Sequence, residues 1–265
     1  MDRPGGVAPS FRLDDRVAVV IGGTGVLGRR IAGALAGAGA RTVAVGRDEA
    51  KGEETTAALA GLDGDVAFER CDATRRAELA ALVGRLQASH GRIDVLVNAA
   101  GVNSGTPFLE ITDEELERIV ATDQLAVVRA CQEFGRYFVA RATGEGVGAS
   151  IVTVGSTAAT APLSKVFTYA MAKAAVHNLT RNLAREWGPL GIRCNVLVPG
   201  FFPAEQNRAL LDQSRVEAIV DHTPLGRLGV PDDLVGAVLL LASDAGRFVT
   251  GAEIVVDGGF GVAGI

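Results

Sequence analysis

Several residue types are scarce in this 265-residue sequence, and each shortage excludes a class of protein. The three cysteines, Cys71, Cys131 and Cys194, are widely spaced and odd in number, which excludes a disulfide framework and a zinc knuckle. The three histidines show no metal-binding spacing either. No apolar run approaches the ~18 residues that span a bilayer, and the N-terminus lacks the apolar core of a secretory signal. We therefore expect a cytoplasmic protein without a metal site.

Basic residues are outnumbered by acidic residues, 26 to 31, so the net charge is −5 and the isoelectric point is near 5.3. This balance argues against a protein that binds nucleic acid or anionic membranes, because such a protein needs a basic face. Only three of the basic residues are lysines, Lys51, Lys165 and Lys173, and the only tyrosines are Tyr137 and Tyr169. Because arginine is so much more frequent than lysine in this chain, each remaining lysine is a candidate for a specific role.

Short β-branched runs alternate along the chain with longer helical patterns. This alternation is typical of a doubly wound α/β fold, in which helices cover both faces of a parallel sheet. We predict one domain over residues 1–265, with an N-terminal tail at 1–15 and a substrate flap at 201–224. The predicted strands are Val17–Ile21, Arg41–Val45, Val66–Cys71, Ile93–Val97, Ser150–Val154, Arg193–Val198 and Glu253–Val256. The predicted helices are Val26–Ala38, Asp48–Leu59, Arg75–Ser89, Asp113–Arg141, Tyr169–Trp187 and Pro231–Ala242.

Glycines cluster directly after the first predicted strand, where the first predicted helix begins. In this setting glycines permit a tight turn and let backbone N–H groups approach a pyrophosphate at a helix N-terminus. The strand before the cluster and the helix after it favour a dinucleotide site over an ordinary turn. The predicted loop consists of Gly22, Gly23, Thr24, Gly25, Val26, Leu27 and Gly28.

The end of the second predicted strand indicates which nicotinamide cofactor the site takes. Sites for NAD usually place Asp or Glu there, against the ribose, whereas sites for NADP offer an arginine to the 2′-phosphate. This chain has Gly46 and Arg47 at that point, followed by Asp48. We therefore favour NADP(H); NAD(H) stays open as the alternative if Arg47 is only a solvated residue.

Tyr169 and Lys173 stand four residues apart at the start of a predicted helix, so their side chains share one face. A phenol ordinarily ionises near pH ~10, and a neighbouring ammonium favours the phenolate, which suits acid–base chemistry near neutral pH. Ser156 follows a predicted strand and can offer its hydroxyl to a carbonyl oxygen. Together the three residues predict a site that exchanges a proton with an alcohol or a ketone.

These residues, the glycine loop and five further motifs resemble the short-chain dehydrogenase/reductase family from about Arg16 to Gly259. The resemblance implies a Rossmann-like sheet of seven strands and hydride exchange with a nicotinamide. It also implies a homodimer or homotetramer built through the two long central helices. The further motifs are Cys71-Asp72, Asn98-Ala99-Ala100-Gly101, Pro199-Gly200, Thr223-Pro224-Leu225-Gly226-Arg227 and Val256-Asp257-Gly258-Gly259.

The resemblance implies roles for individual residues. Tyr169 would exchange a proton with the substrate oxygen, Ser156 would hydrogen-bond that oxygen, and Lys173 would hold the nicotinamide ribose. Asp72 would receive the adenine amino group, and Asn98 would anchor the central sheet beside the cofactor. The other residues expected to contact the cofactor are Gly22, Thr24, Gly25, Val26, Leu27, Gly28, Arg47, Ala99, Gly101, Pro199, Gly200 and Phe202.

The chain departs from the family pattern at several functional positions. Where the family has a fourth catalytic residue, an asparagine, this chain has Asp123. In the family a backbone carbonyl at that point helps to hold a water near the lysine. We expect Asp123 to keep that relay, while an ionised side chain there would add negative charge near Lys173. Ala204 stands where a threonine often bonds the nicotinamide amide, and in the glycine loop Ile21 and Val26 replace a frequent threonine and the middle glycine.

The flap from Pro199 to Arg208 is similar to that of the mannonate or fructuronate oxidoreductases and related sugar-acid dehydrogenases. Within it, Gln206 and Arg208 could bind hydroxyls and a carboxylate, or they could lie on the outer face of the flap. We predict an NAD(P)-dependent oxidoreductase that interconverts a secondary alcohol and a ketone, with a sugar acid or a polyol as substrate and no nucleic-acid or membrane partner. Two alternatives stay open: a 3-ketoacyl-thioester reductase, and a non-catalytic nucleotide-sensing protein of the same fold.

Overall fold

A parallel sheet forms the centre of the protein in a computed structural model that describes residues 10–145, 148–204 and 212–263. Within these ranges the sheet has seven strands, in the order β3-β2-β1-β4-β5-β6-β7, and every neighbouring pair is parallel. The predicted fold class is therefore confirmed. The strands are β1 (Val17–Ile21), β2 (Arg41–Gly46), β3 (Val66–Arg70), β4 (Val95–Asn98), β5 (Ala149–Val154), β6 (Ile192–Pro199) and β7 (Glu253–Val256).

Helices cover both faces of the sheet, because its central strands are apolar on both sides. One face packs on α3, α5 and α6 through side chains such as Leu82, Phe134 and Val176. The other face packs on α1 and α8 through side chains such as Leu35 and Leu241. The helices are α1 (Val26–Gly37), α2 (Glu49–Ala58), α3 (Arg76–His90), α4 (Asp113–Val120), α5 (Ala126–Glu145), α6 (Phe167–Trp187), α7 (Gln213–His222) and α8 (Val235–Ala242).

One helix prediction was wrong. The segment predicted as a single helix, Asp113–Arg141, is divided by a π-helical turn at Ala121–Leu125. A π turn holds one more residue than an α turn and is a common feature of functional sites. Here the turn contains the buried side chain of Asp123, whose carboxylate accepts a hydrogen bond from the N–H of Val102 at 2.9 Å. An apolar periodicity cannot reveal such a turn, because the contacts that stabilise it are distant in sequence.

Several boundaries also differ from the prediction by a few residues. The predicted helix Pro231–Ala242 begins as a 3₁₀ turn, Pro231–Leu234, before α8. The N-terminal tail is shorter than 1–15, since Leu13 is buried and its N–H donates to the carbonyl of Ala38 at 2.8 Å. In the flap, residues 201–204 and α7 are described, whereas Gln206 and Arg208 lie outside the described residues.

All three cysteines are buried and free of disulfide bonds. Burial raises the pKa of Cys71 to about 11 and that of Cys131 to about 12, so these thiols stay protonated at neutral pH. Of the helices in the described ranges, none is both long enough and apolar enough to cross a membrane.

The strand order reverses between β1 and β4, and this reversal positions the site. In the register of the sheet, Ile21 at the end of β1 lies beside Asn98 at the end of β4, which in turn lies beside Thr153 of β5. In open parallel sheets, ligands bind in the crevice outside the carboxyl ends of the strands at such a reversal. The loops that carry most of the predicted motifs leave the sheet at this edge.

Candidate active site

A cavity of about 610 Å³ opens at the carboxyl edge of the sheet. Its size is within the usual range for ligand sites. Asn98 and Asp123 are buried behind its wall. The predicted site residues that line it are Gly22, Thr24, Gly25, Val26, Leu27, Gly28, Arg47, Asp72, Ala99, Gly101, Ser156, Tyr169, Lys173, Pro199, Gly200 and Phe202.

The glycine loop has the geometry of an anion cradle. Gly22 has a φ of 81°, and a Cβ there would lie 2.5 Å from the backbone nitrogen of Ala100, so only glycine fits. Gly25 precedes α1 and provides no side-chain cap to the first N–H groups of that helix. An uncapped helix N-terminus beside a cavity suits a pyrophosphate, and the donor set of this loop therefore fits a dinucleotide.

At the end of β2, Asp48 and Arg47 differ in their surroundings. The Asp48 carboxylate accepts the N–H of Lys51 at 3.1 Å and thereby caps α2, so it is engaged by the backbone. Arg47 is exposed and lines the cavity. Asp72, in the next loop, accepts hydrogen bonds from the backbone and hydroxyl of Thr74 at 3.0 and 2.7 Å. Burial opposes ionisation of Asp72, but these bonds and the charge of Arg47 hold its pKa below the usual value.

Helix α6 presents Tyr169 and Lys173 on one face, as predicted. Lys173 is 3% exposed, and its Nζ donates to the carbonyl oxygen of Val154 at 3.0 Å and lies 5.4 Å from the centroid of the Tyr169 ring. Burial alone would lower the pKa of Lys173, but attraction to Asp123 and Tyr169 outweighs it and raises that pKa. The direction of this shift favours the charged ammonium form of Lys173 in the wall of the cavity.

The side chain of Asp123 pairs directly with that ammonium. Its Oδ1 lies 3.3 Å from Nζ of Lys173, and its Oδ2 accepts the Val102 N–H. Burial raises the pKa of Asp123, and the charge of Lys173 only partly opposes this effect. The sequence predicted a relay role for Asp123 through its backbone and negative charge near Lys173 from an ionised side chain; the structure places that side chain in direct contact with the ammonium.

Ser156 is fixed on several sides at the end of β5. Its Oγ accepts the N–H of Ala158 at 3.1 Å, and its own N–H donates to Nε2 of His177 at 3.3 Å. Its carbonyl accepts the N–H of Ala159 at 3.0 Å. The hydroxyl thus lines the cavity from a backbone that is held in place on both sides of the residue.

Asn98 ends β4 behind the cavity wall and is 3% exposed. Its amide Nδ2 lies 3.6 Å from Sγ of Cys131, and its Oδ1 has no hydrogen-bond partner among the residues that the structure describes. Ala204, which replaces the expected threonine, also lines the cavity, but a methyl group cannot donate a hydrogen bond.

Sequence reasoning missed several residues at the site, and three of them have polar side chains that bear on its chemistry. Asn103 and Arg215 line the cavity, and the Arg215 guanidinium donates to the carbonyl of Ser164 at 3.2 Å. His177 contacts Ser156 from behind. A signal for His177 was present, because it stands four residues after Lys173 on the same helix face. The positions of Asn103 and Arg215 depend on loop paths that periodicity does not encode.

Comparisons with known proteins agree with this geometry. A family profile described as enoyl-(acyl carrier protein) reductase matches residues 24–261. D-threitol dehydrogenase of Mycolicibacterium smegmatis is 34% identical over 250 residues, which cover 94% of each chain. 3-Oxoacyl-(acyl-carrier-protein) reductase FabG of Escherichia coli is 31% identical over 94% of this chain and 98% of that protein. The crystal structure of gluconate 5-dehydrogenase from Burkholderia cenocepacia, in complex with NADP and tartrate, has a TM-score of 0.88, 31% identity and coverage of 94% and 96%.

The doubly wound sheet and the cavity at its carboxyl edge define a dinucleotide-dependent enzyme. The chain belongs to the short-chain dehydrogenase/reductase family, and it is an NAD(P)-dependent oxidoreductase.

The contact between Asp123 and Lys173 generates a prediction about pH dependence. Burial lowers the pKa of Lys173 and the carboxylate of Asp123 raises it, so in Asp123→Asn the pKa of the ammonium falls. We expect the alkaline limb of the pH profile, where the ammonium is lost, to move to lower pH by about one unit. Steady-state rates of the wild type and the variant between pH 5 and 10 measure this shift. An unmoved limb would mean that the carboxylate does not act on the site through its charge.

Proposed function

We propose that this protein is an NADP(H)-dependent dehydrogenase that interconverts a secondary alcohol and a ketone on a polyol or a sugar acid. The observation that carries the proposal is that the same cavity is lined by the glycine loop and by Ser156, Tyr169 and Lys173. A nucleotide cradle at one end and an acid–base group at the other suit hydride exchange between a nicotinamide and a bound alcohol.

Each of the three residues has a role that its contacts support. Tyr169 exchanges the proton with the substrate oxygen, and Ser156 donates its hydroxyl hydrogen bond to the same oxygen. Lys173 holds the nicotinamide ribose and places its ammonium beside the phenol ring. When bound, the nicotinamide supplies or accepts the hydride. Asp123 keeps the Lys173 ammonium charged and oriented within the wall.

Arg47 supports NADP(H) as the preferred cofactor. It is the exposed cation at the end of β2, and the neighbouring carboxylate of Asp48 is engaged in capping α2. A guanidinium pairs well with a phosphate, whereas a ribose 2′-hydroxyl is better served by a free carboxylate at this point. A site with these two residues therefore favours NADP(H), which carries the 2′-phosphate, over NAD(H).

We expect Arg47→Ala to weaken NADPH binding about tenfold or more, because a charge-assisted hydrogen bond contributes ~1.5–3 kcal/mol. The dissociation constant for NADH should change by less than about twofold, since NADH lacks the phosphate. Titration of nucleotide fluorescence with wild type and variant measures both constants. Unchanged NADPH affinity would show that Arg47 does not contact the phosphate.

The position of Arg215 supports a substrate that carries a carboxylate or several hydroxyl groups. The carbonyl of Ser164, which receives its hydrogen bond, lies in the loop between Ser156 and Tyr169, so the guanidinium is held on the substrate side. That bond uses one of the five N–H donors of the guanidinium. Asn103 adds an amide to the same lining, and we propose that Gln206 and Arg208 contribute from the flap.

The main rival is a 3-ketoacyl-thioester reductase, the activity named for the relative from Escherichia coli. An enzyme of that kind that meets an acidic carrier protein needs a basic docking patch. The net charge of −5 does not favour such a patch. A non-catalytic nucleotide sensor is the second rival, and the buried, charged Lys173 beside Tyr169 argues against it, because such a charge is costly to maintain without use.

Absorbance of the reduced cofactor, followed with a panel of polyols, aldonates, ketoses and a 3-ketoacyl thioester, separates these functions. We expect turnover with polyols or aldonates, and a loss of about 100-fold or more in Tyr169→Phe. Nucleotide binding without turnover on any panel member would leave the sensor as the better account. Preference for the thioester would favour the reductase.

The same panel tests the substrate role of Arg215. In Arg215→Gln we expect KM for an aldonate to rise about tenfold, because a charge-assisted hydrogen bond is lost, while KM for an uncharged polyol changes less than about twofold. Arg185→Gln, an equal change at an exposed position of α6, is the matched control. Equal effects of Arg215→Gln on both substrates would argue against a carboxylate contact.

An assembly of identical subunits in the cytoplasm also belongs to this proposal. Phe108 and Phe167 meet edge to face with ring centroids 5.3 Å apart, yet they remain 63% and 39% exposed. Met171 on α6 is 57% exposed nearby. Exposed apolar side chains grouped in this way support burial against a second copy of the chain, in a homodimer or homotetramer.

A further inference from the structure

His177 lies directly behind Ser156 and is 2% exposed. It occupies α6 one turn after Lys173, so its side chain falls on the helix face that carries the phenol and the ammonium. Its Nε2 receives the N–H of Ser156 at 3.3 Å, and its Nδ1 lies 3.1 Å from Oε2 of Glu253. The imidazole therefore connects Ser156, the proposed hydrogen-bond donor to the substrate oxygen, with strand β7 at the edge of the sheet.

The hydrogen bond from the Ser156 N–H fixes the tautomer of the ring. Since Nε2 accepts a hydrogen bond, it carries no proton, and the neutral imidazole must hold its proton on Nδ1, facing Glu253. Burial lowers the pKa of His177, although the carboxylate of Glu253 partly opposes that effect, so the ring is neutral at physiological pH. A protonated ring would present a second donor to the Ser156 N–H.

The contact with Ser156 begins where the pairing between β5 and β6 ends. The N–H of Gly155 still donates to the carbonyl of Leu197 in β6 at 2.8 Å, and the next N–H, that of Ser156, is received by His177. The ring lies so close that a Cβ at position 155 would come within 2.1 Å of Nε2. Gly155 is therefore required for this close approach.

Glu253 is in turn held by a second residue of α6. Arg181, one turn beyond His177, donates to Oε1 of Glu253, while Oε2 faces the imidazole. The Arg181 side chain is 54% exposed, whereas the His177 ring is buried. The contacts from Arg181 through Glu253 to His177 therefore connect the protein surface with Ser156. A half-exposed ion pair thereby orients a fully buried ring.

We propose that His177 is a positioning residue that holds the backbone of Ser156, and hence its hydroxyl, in the orientation required for turnover. The carboxylate of Glu253, 3.1 Å from Nδ1, favours the required tautomer by its charge. The proposal rests on the catalytic role proposed for Ser156. A buried N–H that loses its acceptor shifts or draws water to the site, and small displacements of a catalytic group are costly to the rate. His177 itself is not among the residues that line the cavity.

The first test compares His177→Leu with His177→Gln. Leucine cannot accept the Ser156 N–H, so we expect kcat to fall about 10- to 100-fold. Glutamine can accept that N–H and donate to Glu253, so it should retain kcat within about threefold of the wild type. NADPH affinity should stay within about twofold in both variants, since the ring lies away from the cofactor cradle. Wild-type kcat in His177→Leu, or equal loss in both variants, overturns the proposal.

A double-mutant cycle with Ser156→Ala separates positioning from general destabilisation. If His177 acts through the hydroxyl, His177→Leu should change the residual turnover of Ser156→Ala by less than about twofold. A full additional loss would show that the ring acts through general structure, which overturns the proposal. Full activity of Ser156→Ala alone would instead contradict the role proposed for Ser156, so the two failures are distinguishable.

Glu253→Gln tests the tautomer and leaves the buried imidazole in place. This variant serves as the test if His177→Leu does not fold. The amide oxygen would accept from Arg181, which directs the amide NH₂ at Nδ1 and moves the ring proton to Nε2, against the Ser156 N–H. We expect kcat to fall about fivefold or more with unchanged NADPH affinity. Glu186→Gln, the same change at an exposed position of α6, is the control. Equal kcat in the two variants overturns the proposed role of Glu253 and the tautomer with it.

Discussion

The buried ammonium group of Lys173 is the point at which the separate parts of the active site meet. It contacts the end of β5 through the Val154 carbonyl, the π-helical turn through Asp123, and the ring of Tyr169 on its own helix. A buried charge without partners costs several kcal/mol, roughly the stability margin of a whole domain. The strand, the turn and the helix must therefore hold their relative positions for the ammonium to be satisfied.

This constraint accounts for the local irregularities around the site. The π turn at Ala121–Leu125 breaks an otherwise continuous helix and carries the carboxylate that Lys173 contacts. On α6, positions four residues apart carry Tyr169, Lys173, His177 and Arg181, so a single helix face supplies the acid–base group, its charged neighbour and the support behind Ser156. Rotation of α6 by a small angle would disturb all of these contacts together.

The sequence predicted the parallel sheet, because strand–helix alternation is a local signal. It also predicted that motifs directly after the strands form the cofactor site, because glycine spacing is a local signal too. It also placed Tyr169 and Lys173 on one face from their spacing alone. It did not predict the π turn or the position of Arg215, since each depends on packing between segments far apart in the chain. His177 shows an intermediate case: its helix face was predictable, but its contact with Ser156 depends on how β5 ends.

The central claim is that the site needs a compact ammonium at position 173, and Lys173→Arg tests it most directly. A planar guanidinium keeps the charge but does not fit the space bounded by the Val154 carbonyl and Asp123. We predict that turnover falls by about 100-fold or more while circular dichroism remains that of a folded protein, and that Lys165→Arg, at an exposed position, leaves turnover unchanged. Turnover of Lys173→Arg close to that of the wild type would contradict the account.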